Sequence, residues 1–147
     1  MLLFIIYFLQ IAGFIIGLGA VTVIDWHGFL AQKSVYWTKA TITAHKVTKP
    51  LIWTGTFLLI AGKTLDYMQF GLYQISFVNI LLITLLILNG CFLSFYVSPY
   101  LVKLEKTGVN KPLQKSLQYK IIVSFLFSFF GWWGLVLIFI GTLLKLI

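Results

Sequence analysis

The sequence predicts an all-α polytopic membrane protein, a bundle of four transmembrane helices. Three observations carry this reading: an apolar composition, four long apolar stretches, and lysines gathered into two of the three connecting segments. Of the 147 residues, 61% are hydrophobic and 18% aromatic, and only 10% are charged. The mean hydropathy is +1.02. A soluble domain of this length has to keep a wet exterior and cannot hide that much apolar surface.

The first span covers Leu2 to Ile24, with Gln10 and Thr22 as its polar interruptions. At about 1.5 Å per residue it is long enough to cross about 30 Å of hydrocarbon. No lysine precedes Lys33, so the segment lacks the basic start of a signal peptide and reads as a retained helix. The second span is set at 43–63. Its apolar part begins at Leu51, and Lys46 and Lys49 lie at the interface, where their stems can snorkel. Pro50 predicts a kink or boundary. The third span, 73–97, ends at Ser98–Pro99, and the fourth runs over 121–144. The connecting segments are 25–42 and 98–120. Within the first, Ser34 is placed to cap a helix leading into the second span. The chain reads as one transmembrane domain over 1–147.

The net charge of +8 comes from eleven lysines against Asp25, Asp66 and Glu105, with no arginine. Lys33, Lys39, Lys46, Lys49, Lys103, Lys106, Lys111, Lys115 and Lys120 fall on one side, and Lys63 and Lys145 on the other. The positive-inside rule puts the first side in the cytoplasm and both termini outside, as a multi-pass protein of the cell membrane. Anionic lipid headgroups, rather than nucleic acid, are the expected partners of these lysines. A homo-oligomer or a partner subunit is also compatible with a helix-packing face. Cys91 stands alone, so no disulfide and no cysteine ligand set is expected.

Helical phase sorts the polar residues. With Gln10 at zero and about 100° per residue, Gly13 falls at about 300°, Gly17 at about 340° and His27 at about 260°. Gly13 and Gly17 form a GxxxG pair that marks a close helix contact. His27 continues that side. Asp25, at about 60°, lies off it and is expected to pair with Lys49 across the first hairpin. On the second helix, His45, Lys49, Thr56 and Lys63 share one stripe, which should face other helices because an ionisable group facing lipid is costly. Asn79 and Asn89 are expected to hydrogen-bond across helices. In "FFGWWG", Phe129 to Gly134, at least one indole should point inward.

The histidine-bearing first hairpin, the entry "HKVTKPLIW" from His45 to Trp53 and the "WWG" of the last helix carry a resemblance. The chain resembles uncharacterised small bacterial four-helix membrane proteins and, more distantly, the HemJ-type protoporphyrinogen oxidases and CopD-like domains. The resemblance implies haem or porphyrin chemistry with His27 and His45 as ligands, in the manner of a bis-histidine haem. A non-enzymatic accessory, assembly or structural subunit without a cofactor is the alternative, and an oligomeric transporter the third. The residues assemble no metal set: no third histidine or cysteine completes one.

Overall fold

The computed structural model describes residues 1–71, 77–109 and 111–144. Four helices account for nearly all of them: α1 (Leu2–Leu30), α2 (Val35–Phe70), α3 (Phe77–Thr107) and α4 (Lys115–Leu143). The expected start of the third span at 73 and the outer Lys145 lie outside the described residues. Three helices, α1, α3 and α4, are long and apolar enough to cross a membrane. α2 is longer, but Lys39, Lys46, Lys49, Lys63 and Asp66 spread charge along it.

The helices run past the expected spans. α1 continues six residues beyond Ile24, and α2 starts at Val35, so the segment 25–42 is helical except for a tight turn. Ala31 N–H bonds His27 O at 2.9 Å and Lys33 N–H bonds Leu30 O at 2.9 Å. Ser34 Oγ accepts from Trp37 N–H at 3.3 Å and caps α2, as its position predicts. α2 then reaches back to the end of α1. Thr38 Oγ1 donates to Ala31 O at 2.9 Å, and Thr41 Oγ1 donates to His27 O at 2.7 Å. Ala31 O, which the end of α1 would otherwise leave to water, is thereby bonded, and His27 O gains a second donor. Pro50 lies inside an unbroken α2.

Ser98–Pro99 does not end the third helix. The chain is α-helical over Phe77–Phe92, forms a π-helical turn at Leu93–Val97, and resumes as α-helix over Ser98–Thr107. Proline cannot donate to the carbonyl four residues back and its ring crowds that carbonyl. The wider turn just before Pro99 relaxes this conflict, and the rod continues. It stops at Gly108, and α2 stops at Gly71. Both glycines adopt positive φ (83° and 79°), which L side chains rarely tolerate.

α1 and α2 pack antiparallel along most of their length, and α4 lies against both α1 and α3. The α1/α2 seam brings backbone onto backbone. A Cβ on Gly55 would stand 2.5 Å from the Gly17 N and Cα, and one on Gly13 would stand 2.8 Å from Gly55 O. The expected GxxxG contact thus has its counterpart in Gly55, with Gly62 repeating it beside Gln10. One apolar core, built from Phe14, Leu59, Leu86, Trp132, Leu135 and Phe139, fills the middle. A second, including Ala31, Ile42, Val97, Leu101, Val109 and Leu117, sits at the lysine-rich end. Trp132 is buried and Trp133 exposed.

Replacing Gly55 by leucine should therefore cost at least about 2 kcal/mol, the scale of forced overpacking. Gly19 meets nothing within 4 Å. Gly19→Leu should leave stability within about 0.5 kcal/mol of the parent or raise it slightly. Denaturant unfolding in detergent micelles, followed by tryptophan fluorescence, compares the two.

Candidate functional site

A cavity of about 50 Å³ lies at the lysine-rich end between all four helices. Asp25 of α1, His45 and Lys49 of α2, Ser94 of α3 and Ser124 of α4 bring polarity to its wall. Most of the remaining lining, including Ile52, Leu93 and Ile121, is apolar. The space suits a few water molecules and is far below the about 300–1,000 Å³ of sites for drug-sized ligands.

Two of the polar groups carry unmet hydrogen-bonding capacity. Asp25 Oδ2 and His45 Nε2 are both enclosed and have no hydrogen-bond partner. His45 itself is only 9% exposed. The neighbours are already engaged. Trp53 Nε1–H donates to Ser94 Oγ at 3.0 Å. Ser124 Oγ donates to Asn89 Oδ1 at 2.7 Å, while Asn89 Nδ2 donates to Ser128 Oγ at 2.7 Å and to Ser124 O at 3.2 Å. Lys49 Nζ donates to Ser98 Oγ at 3.4 Å. An enclosed polar atom left unbonded costs about 1–3 kcal/mol, so the pocket concentrates unused binding capacity in one small volume.

The expected Asp25–Lys49 ion pair is not formed. Both residues line the cavity, but Lys49 reaches α3 instead. The ion pair among the described residues is Lys46–Glu105, at 2.7 Å, with side chains 53% and 44% exposed. At that exposure it contributes about 0.2–1 kcal/mol. The segment expected as a connection over 98–120 is helical as far as Thr107, and this extension carries Glu105 beside α2.

His27 and His45 are separated. The His27 ring Nδ1 lies 2.8 Å from Val23 O, and its ring packs edge-on against Trp37 at 6.0 Å. It does not line the cavity that His45 lines. The reason is the width of the buried side of α1. Buried Ala20 and Phe14 lie at about 280° and 40°, so the buried arc is centred at about 340°, and Asp25 and His27 stand at its opposite edges. Asp25 falls on the edge that meets the four-helix junction. The two histidines as arranged, and a cavity of about 50 Å³, do not fit a haem held between them. Among the described residues, no group of three or more His, Cys, Asp and Glu side chains gathers into a metal-sized cluster.

The polar stripe of α2 does turn inward. His45, Thr56 and Lys63 are buried, and the Lys63 ammonium lies 6.0 Å from the centre of the Phe139 ring. Gln10 and Asn79 are fully enclosed, and both amide atoms of Gln10 and Oδ1 of Asn79 lack partners. These residues are toward the opposite end of the molecule from Asp25 and His45, with the Phe14, Leu59 and Trp132 core between the two polar groups.

No family model, curated protein or solved structure matches the chain.

Because Asp25 Oδ2 is enclosed without a partner, Asp25→Leu should raise stability by about 1–2 kcal/mol, since an apolar side chain leaves no acceptor to satisfy. Asp25→Asn should not give this gain, because it keeps a buried polar group. Urea or guanidinium unfolding of the two variants in micelles measures the difference.

Proposed function

We propose that this chain is a protein of the cell membrane with four spans, and that its Asp25–His45 pocket binds and exchanges a proton through bound water. The fourth span is α2. What supports it is the division of its faces: His45, Thr56 and Lys63 are buried, while Val47, Leu51 and Phe57 are exposed at 61%, 42% and 71%. The lysine-rich end is cytoplasmic and both termini lie outside, by the excess of lysine on that side.

The observation that carries the functional reading is the convergence of Asp25 Oδ2 and His45 Nε2, each without a partner, on one water-sized cavity. A carboxyl group and an imidazole joined by water can pass one proton between them without moving a helix. The Lys49 ammonium, on the same wall, is a donor that can turn toward Asp25 when the acid is ionised. An ionisable group at membrane depth is expensive to keep, which makes it a marker of function rather than of stability.

Difference infrared spectroscopy in nanodiscs tests the pocket. The carboxylic C=O band of the parent, minus that of Asp25→Asn, should leave a distinct component for Asp25. His45→Gln should shift the frequency of that component, because the imidazole shares the pocket with the acid. If Asp25→Asn leaves the band unchanged, the reading fails. Topology is tested separately. With Cys91 replaced by serine, a cysteine at Lys111→Cys should react with an impermeant thiol reagent from the cytoplasmic side only.

A further inference from the structure

A second hollow, of about 310 Å³, lies between α3 and α4. Phe92, Val123 and Phe127 form its walls, and Asn89 and Ser124 its floor. The floor is chemically closed, because Asn89, Ser124 and Ser128 spend their polar atoms on one another. The hollow is open at its outer side, where Tyr119 and Phe127 are 71% and 51% exposed. Lys120 stands at one end. Its Nζ donates to Tyr96 Oη at 2.6 Å and lies 4.5 Å from the centre of the Tyr96 ring. Tyr96 in turn stacks on Phe92, with ring centroids 5.3 Å apart. From Lys120 to Phe127 the groove follows α4 for about 10 Å toward the apolar middle.

This arrangement has the two halves of a phospholipid site. A cation is fixed at the aromatic, interfacial end, and an apolar trough leads from it into the hydrocarbon. Among the described residues no carboxylate pairs with Lys120: the three acidic side chains are Asp25, Asp66 and Glu105, and Glu105 is engaged by Lys46. A second copy of the chain would bring another surface of net charge +8 to the same place. An anionic lipid instead supplies the missing charge.

We propose that the groove beside Lys120 is a binding site for an anionic phospholipid, with the phosphate on the Lys120 ammonium and an acyl chain along Phe92, Val123 and Phe127. The site is separate from the Asp25–His45 pocket and rests only on α3 and α4 spanning the membrane.

The test uses the full chain in mild detergent, offered equal amounts of phosphatidylglycerol and phosphatidylcholine with matched acyl chains, and reads retained lipid by native mass spectrometry. The parent should retain phosphatidylglycerol over phosphatidylcholine by about fivefold, the factor for one lysine–headgroup attraction. Lys120→Gln should bring the ratio close to one. Val123→Trp, which fills the trough, should remove both adducts, and Phe127→Ala should weaken both without adding bulk. Lys103→Gln, outside the groove, should leave the preference intact. Equal retention of the two lipids by the parent overturns the proposal. So does a preference that survives Lys120→Gln, or adducts that survive Val123→Trp. A change of oligomeric state in Val123→Trp would assign the groove to a second copy instead and overturn it equally.

Discussion

Everything else in the molecule depends on how closely α1 and α2 approach at Gly13, Gly17 and Gly55. With no side chain between them, the two backbones meet at distances that exclude even a methyl group. In a bilayer, helix association draws on packing rather than on the expulsion of water, so such close contact is where a hairpin finds its stability. It also fixes rotation. Once Gly17 faces Gly55, every other residue of α1 has a set direction, and the Trp132 indole of α4 lies against the same glycine.

That fixed rotation explains where polarity can survive. The middle of the molecule is filled largely by Phe14, Leu59, Leu86 and Trp132, and the Thr56 hydroxyl beside them is bonded to Ile52 O of its own helix. Asp25, His45 and Lys49 collect toward one end, and Gln10, Lys63 and Asn79 toward the other. Where partners are present, they cross between helices, as in the Asn89–Ser124–Ser128 clasp and the Trp53–Ser94 bond. They are missing at Gln10 and Asn79 toward one end and at Asp25 Oδ2 and His45 Nε2 toward the other, and the proposed function starts from the latter pair, which shares a cavity.

The helical phase of α1 puts Asp25 and His27 on opposite edges of the buried arc, and phase alone does not say which edge meets the other helices. The arc is wide because α1 has α2 on one side and α4 on the other. The α2 stripe, by contrast, was legible from spacing alone, because four polar residues at helical intervals in an apolar segment have few places to go. Glu105 and the π-turn before Pro99 were not legible. Both depend on a helix persisting where local rules favour a break.

The sequence by itself determined the all-helical class, the apolar character of α1, α3 and α4, the Ser34 cap, the glycine contact face and the lysine asymmetry. These follow from composition, period and local hydrogen bonding, which are properties of short stretches. Tertiary structure alone decided that Asp25 and His45 share a cavity, that Lys49 turns to Ser98, that Lys46 meets Glu105 and that Lys120 stands over Tyr96 at one end of the groove between α3 and α4. Each of these joins residues on different helices. Their meeting depends on rotation and register between rods, and a period of 3.6 residues within one rod cannot specify the register of its neighbour.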